Sequence, residues 1–256
     1  NYSIFLNKLE KERHIPNALI FGNRLSVQPS NKLNISFFRV AQFSGDGRPK
    51  DSKTILNMIL GKDNSSNANA QINEPGNQLA GIDLKYHINN TTSIYTQMLG
   101  EDEAGYFPSR KIFLYGISRK YYKSASIVKF NLDYYDTESD IKNYVYNHGI
   151  YKSGYRYLGS SIGADIDADS NKLKLSSIIS RGKDVFKISY IDTDINKNNN
   201  PENTLNDISF SSKEIHFSYK RQYGNYSFEI ISLFRDTDNK LIANKNAFIR
   251  IEYHLN

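Results

Sequence analysis

The chain has no cysteine and no tryptophan in 256 residues. Without cysteine there is no disulfide framework and no thiol chemistry. Long hydrophobic runs are missing too. The longest is a few residues, whereas a membrane-crossing helix needs about 20. That excludes a transmembrane helix but not a transmembrane barrel, whose strands alternate and never build a long apolar run. Charge of one sign is nearly balanced: 33 Lys and Arg against 27 Asp and Glu, a net of +6. The excess is scattered, with no basic arm or dense Lys/Arg run, so nucleic acid is not an expected partner. What is plentiful is aromatic and β-forming: 19 Tyr and 14 Phe in a chain only 39% hydrophobic.

The dominant period is two. Ala80, Ile82, Leu84, Tyr86 and Ile88 alternate with Gly81, Asp83, Lys85 and His87. Val128, Phe130, Leu132 and Tyr134 alternate with Lys129, Asn131 and Asp133. The same pattern recurs at Ile215–Tyr219, Tyr226–Ile230 and Ile249–Leu255. It predicts twelve strands: 1–9, 17–28, 32–43, 78–89, 91–101, 109–121, 124–136, 171–180, 184–193, 210–222, 225–236 and 245–255.

The connections decide the architecture. Short turns are expected at Pro29–Asn31, Asn89–Asn90, Tyr122–Lys123, Arg181–Lys183 and Tyr223–Gly224. Longer links cover 10–16, 44–77, 102–108, 137–170, 194–209 and 237–244. Short and long alternate throughout, as in an up-and-down meander with every short turn at one end. A Greek-key sandwich has no reason to alternate this way, whereas transmembrane barrels do. Strands of about 10 residues suit a tilted membrane span, and soluble strands average nearer 5–6. Tyr86, Tyr134, Tyr190 and Tyr253 sit at strand ends, where an interfacial aromatic girdle would lie. The expected fold is all-β, an antiparallel up-and-down transmembrane barrel of about twelve strands. A soluble sandwich or lipocalin-like barrel is the competing architecture.

Two long links carry individuality. The link 44–77 holds the one helical signal, capped by Asp51 or Ser52, with Ile55, Leu56, Ile59 and Leu60 on one stripe. It predicts a short helix over or in the barrel mouth. The link 137–170 ends in HGIYKSGYRYLGSSIGADIDADS, His148 to Ser170. Tyr151, Tyr155 and Tyr157 offer flat faces with a hydroxyl tip, and Arg156 offers a planar fork of donors. Asp165, Asp167 and Asp169 offer acceptors, and Gly154, Gly159 and Gly163 allow sharp turns. Aromatic faces beside fixed donors and acceptors suit a sugar. The same composition also suits a polar loop that folds on itself.

Other constellations are weaker. An EF-type calcium loop starting at Asp165 would need Gly sixth and Glu twelfth; those places hold Ser170 and Ser176. The alternative is a polar rim that accepts hydrogen bonds from Arg and Tyr. Glu101 and Glu103 share a strand face and would be the only candidate pair of acids for glycoside hydrolysis. Arg110 is an available counter-charge, which makes a structural ion pair the competing reading. There is no Ser-His-Asp order, zincin helix or phosphate-binding glycine loop. No catalytic residue, metal site or cofactor is expected.

Several ordered segments resemble one family. They are IFGNRLS (Ile20–Ser26), Ala41-Gln42, GDGRP (Gly45–Pro49), EPGNQLAGID (Glu74–Asp83), YTQMLGEDE (Tyr95–Glu103), YNHGIYKSGYRYLGSSIG (Tyr146–Gly163) and DADS (Asp167–Ser170). Together they are similar to the Wzi family of outer-membrane capsule assembly and surface-attachment proteins of Gram-negative bacteria. The resemblance covers most of residues 1–180; residues 181–256 match only as strands.

The resemblance implies an eighteen-stranded barrel with a small periplasmic helical part near its N-terminus. The chain, beginning at Asn1 inside a strand-like pattern, then reads as the C-terminal two-thirds, a single partial barrel domain with a gap or an exposed edge at strands 1–9 and 245–255. The family's barrel is occluded and non-enzymatic, and holds capsular polysaccharide like a lectin. Implied partners are capsular polysaccharide, outer-membrane lipid and capsule export machinery. Sugar contact is carried onto Tyr151, Tyr155, Arg156 and Tyr157, with Asp102, Glu103, Arg110 and Asp167 as rim partners. A porin-like or substrate-specific channel is the alternative, motivated by the charged inner face at Lys85, Lys129, Arg250 and Glu252.

Overall fold

The structure, a computed structural model, describes residues 1–59, 76–101, 108–139, 145–201, 203, 207–238 and 245–253. Twelve strands form one antiparallel sheet. They are β1 (Tyr2–Lys8), β2 (Leu19–Ser30), β3 (Leu33–Phe43), β4 (Gly76–His87), β5 (Thr92–Glu101), β6 (Ser109–Lys123) and β7 (Ser126–Asp136), followed after the long link by β10 (Asn171–Arg181), β11 (Asp184–Ile195), β12 (Phe210–Tyr223), β13 (Tyr226–Thr237) and β14 (Lys245–Tyr253). Within the link itself lies a two-residue ladder, β8 (Arg156–Tyr157) with β9 (Ser160–Ser161). Every long strand pairs with its sequence neighbour, so the topology is the expected meander. β1 and β14 are the two edges of the described sheet and do not pair with each other.

The sequence explains the tight turns. Ser124, Gly182 and Gly224 adopt left-handed φ of 50°, 56° and 55° in the two-residue hairpins. The β4–β5 turn is closed by the Asn89 carboxamide, whose Oδ1 accepts from the amides of Thr91 and Thr92 at 2.9 Å.

Period-two alternation becomes an apolar outside and a charged inside. In lateral register, Tyr86, Ile94, Ile117, Leu132, Leu175, Tyr190, Ile215 and Phe234 follow one another across eight strands. All eight are exposed. The row one residue away runs Lys85, Tyr95, Gly116, Asp133, Lys174, Ile191, Glu214 and Arg235, and it faces the interior. A soluble sandwich would hide the apolar row. A continuous exposed apolar belt over a fully hydrogen-bonded ladder is what hydrocarbon requires.

The inner wall is layered. Toward the long-link end it is apolar, with Ile20, Leu79 and Ile112 buried beside Val40 and Leu99. Toward the short turns it becomes polar, with Arg24 on Asp83, Gln97 Nε2 donating to Asp83 at 2.6 Å, Tyr95 on Asp133 and Asn131 on Ser176.

The predicted helix exists as α1 (Ser52–Ile59), with the Ile55 amide bonded to the Asp51 carbonyl at 3.1 Å. Leu60 lies outside the described residues. The helix does not sit over the mouth as expected. Ile55 packs with Leu19, Phe21, Ala41 and Phe43. These occupy the pleat face opposite Ile20, Val40 and Gln42, so α1 covers the outer face of the β2–β3 wall. Ile55 finds apolar partners there, because the inner face at that height is filled by the described part of the 137–170 link.

Candidate functional site

The link after β7 folds back into the barrel mouth as a plug. Its neck is a seam between Thr137 and Ser170. The Thr137 amide and hydroxyl both donate to the Ser170 carbonyl at 2.9 Å, and the Ser170 amide donates back to Thr137 Oγ1 at 3.0 Å. β11 and the link after it brace the other side: the Asn196 amide reaches Ser170 Oγ, and Asn203 Nδ2 reaches the Ala168 carbonyl.

At the centre of the plug is a buried ion pair. Arg156 Nε donates to Asp167 Oδ2 at 2.7 Å and its terminal nitrogen to Oδ1 at 2.5 Å. The other guanidinium nitrogen donates to Asn147 Oδ1 at 2.7 Å and to the carbonyls of Ser153 and Tyr146. The side chains of Arg156 and Asp167 are 3% and 1% exposed. A planar fork satisfying a carboxylate on both oxygens is the geometry in which burial of both charges is tolerable. Asp167 and Asp169 adopt left-handed φ of 54° and 52°, which their short polar side chains permit.

The plug is bolted to the wall by single polar side chains. Tyr155 Oη donates to the Asn77 carbonyl at 2.6 Å and lies 3.0 Å from that of Val40. Tyr151 Oη donates to the Ser44 carbonyl. Gln42 Nε2, from the inner face of β3, donates to the Gly154 carbonyl at 2.6 Å, and Arg13 donates to the same carbonyl at 2.8 Å. Burial holds the Arg13 guanidinium below its ordinary value, against the opposing pull of Glu10. Burial likewise pushes the Tyr146 phenol up to about 12. Below the plug lies a cavity of about 500 Å3 lined by Tyr146, Tyr155 and Ala164 from above and by Phe38, Leu79 and Leu99 from the wall.

This arrangement separates the expected sugar contacts. Tyr151, Tyr155, Arg156 and Asp167 are brought together, but inside the plug, at 0–3% exposure. Their faces and donors are used by protein groups, so they build the plug. Tyr157 alone among the four loop residues presents its ring, at 47%. Arg110 is half-buried at the long-link end of β6, with a left-handed φ of 47°. Asp102 and Glu103 lie outside the described residues, and Glu101 is buried. Nor do the three alternating acids converge: Asp165 meets Lys172 while Asp167 meets Arg156. Arg13, Gln42 and Asn77 were not expected in the site. Only Gln42 carried a signal, a polar residue at an inner-face position of an otherwise apolar strand end.

A family model described as Capsule assembly protein Wzi matches residues 1–241. The chain belongs to the Wzi family. Among Wzi-like sequences, a Klebsiella pneumoniae protein described as an uncharacterized 55.8 kDa protein in the cps region is 35% identical over 144 residues, 55% of this chain and 28% of that one. The solved structure of Escherichia coli Wzi, an outer-membrane protein involved in group 1 capsule assembly and described as a carbohydrate-binding β-barrel, superposes with a TM-score of 0.79. Identity to it is 24%, and the match covers 98% of this chain and 54% of that one. The chain thus spans about half the length of the solved Wzi. The barrel architecture of the Wzi family and the exposed apolar belt together place this chain in the bacterial outer membrane.

Proposed function

We propose that this chain is the plugged wall of an outer-membrane lectin that binds capsular polysaccharide and helps attach it at the cell surface, without catalysis. The observation that carries the reading is the plug. The described part of the link, 145–170, is held in the mouth by a buried ion pair and at least four contacts to other segments, yet leaves the Tyr157 ring exposed on the β8–β9 hairpin. A rigid loop presenting an aromatic face is preorganised for stacking on a sugar ring, because little conformational entropy remains to be lost on binding. Arg110, together with Asp102 and Glu103, supplies the hydrogen-bonding partners. The plug-filled mouth also opposes the channel reading. Outer-membrane lipid surrounds the apolar belt, and the family role in capsule assembly makes the export machinery a second partner.

The test is binding of purified capsular polysaccharide to the full-length protein in detergent, beside Tyr157→Ala. Affinity is expected to fall about tenfold or more, the size of one lost stacking contact. Unchanged affinity would move the contact away from this hairpin. A steady single-channel current from the wild-type protein would favour the channel instead.

A further inference from the structure

The polar half of the inner wall has a feature that the plug does not use. Between β2 and β7, on the short-turn side of the apolar layer, lies a concavity of about 430 Å3, within the ~300–1,000 Å3 range of ligand clefts. Its back is the Tyr95 ring. Gly116, directly opposite Tyr95 in register, has no side chain, and the ring lies across the space a Cβ would fill. The ring therefore lies against the wall, and its hydroxyl is fixed by Asp133 on the next strand.

The one acid that lines the concavity, Asp83, is already engaged by Arg24 and Gln97, and the nearby Asp133 is engaged by the Tyr95 hydroxyl. Two of its lysines are not. Lys85 on β4, directly opposite Tyr95, and Lys129 on β7 make no ion pair among the described residues. The opposite stretch of wall differs. There Lys220 meets Glu252 at 2.8 Å, Arg235 meets Glu214 at 2.7 Å and Arg250 meets Glu229 at 3.6 Å. The inner-face charges are paired across β12–β14, whereas cations are in excess across β4–β10. Lys174, next to Asp133 in the same inner row, adds a further cation with no ion pair among the described residues. A concave wall of one sign concentrates anions. Lys85 and Lys129 stand three strands apart, about 14 Å laterally, which is too wide for one sugar ring and suits an oligosaccharide.

We propose that this wall is a second saccharide subsite, on the far side of the plug from the mouth, that takes a carboxylate-bearing oligosaccharide. Tyr95 is the stacking platform, Lys85 and Lys129 pair with the carboxylates, and Asn131 and Ser118 meet hydroxyls. The class of ligand rests on the lectin reading above; the site does not share a residue with it.

The test uses full-length protein in detergent, with tetragalacturonate as the acidic probe and maltotetraose as its neutral counterpart, by calorimetry at two ionic strengths. Tetragalacturonate should bind, more weakly at higher salt. The double variant Lys85→Gln with Lys129→Gln should bind it about a hundredfold more weakly, since each lost charge-assisted contact is worth about tenfold. Tyr157→Ala should leave this affinity unchanged, and maltotetraose should bind poorly to every form. No binding of tetragalacturonate, equal binding of maltotetraose, or unchanged affinity in a double variant that keeps its heat-modifiable gel migration would each overturn the subsite. Whole-polysaccharide binding by Tyr157→Ala, measured alongside, reports on the plug-side reading independently.

Discussion

Removing one partner of the Arg156–Asp167 pair should open the plug without unfolding the barrel. Arg156→Ala deletes both contacts to Asp167 and those to Asn147, Ser153 and Tyr146. Asp167 is left charged and fully enclosed. Breaking such a pair costs about 3–5 kcal/mol. Only the plug depends on it, since the strand ladder on either side is intact, so the loss falls on local opening. At about 1.4 kcal/mol per decade, the open population rises roughly 10²- to 4 × 10³-fold. Native-state hydrogen exchange of the 146–170 amides should accelerate by that factor, while the β10–β12 amides stay protected. Asp167→Ala should behave alike. The double variant should lose less than the sum of the two, because it leaves no orphaned charge. If either single variant exchanges at the wild-type rate, or if the two losses simply add, the pair does not hold the plug.

Three further outcomes follow from the same geometry. Gly154→Ala should destabilise the plug by about 1–3 kcal/mol, the usual cost of left-handed strain, and more through collision; Gly154 has φ of 58°, and a Cβ there would run into the Tyr146 carbonyl and the Arg156 guanidinium. Protease nicking within 146–170 is the readout. Tyr155→Phe removes the hydroxyl that donates to the Asn77 carbonyl and lies against that of Val40 and should cost about 1–3 kcal/mol, seen as faster exchange near Asn77 and Gly154. Raising pH should also release the plug. The Tyr146 phenol is held protonated to about 12 by burial, against ~10 when unfolded. Its contribution is intact below pH ~10 and is lost between ~10 and ~12, at up to ~1.4 kcal/mol per pH unit. Tyr146→Phe should flatten that dependence in an alkaline exchange series.

Strand positions were legible because they rest on local alternation and turn chemistry. All twelve predicted strands appear, most with ends shifted by one or two residues. The β8–β9 hairpin escaped, being two pairs long and held by tertiary contacts rather than by its own pattern. The helix was legible but its place was not, since an apolar stripe does not say which wall it will meet.

The candidate site was half legible. Composition marked 148–170 as unusual and offered two readings, a sugar-facing surface or a loop folded on itself. The structure gives Tyr151, Tyr155, Arg156 and Asp167 to the second and leaves Tyr157 exposed. Nothing local distinguishes Tyr155 from Tyr157, two residues apart with the same chemistry. One meets the carbonyls of Val40 and Asn77, more than seventy residues earlier in the chain, and the other keeps its ring exposed. Sequence by itself determined the period, the strand count and the alternation of short and long links, because these follow from steric and hydrophobic rules acting within a dozen residues. Which face of each strand looks outward, which side chains become the plug and which inner lysines stay unpaired were decided only by tertiary structure, because each depends on groups brought together from strands far apart in the chain.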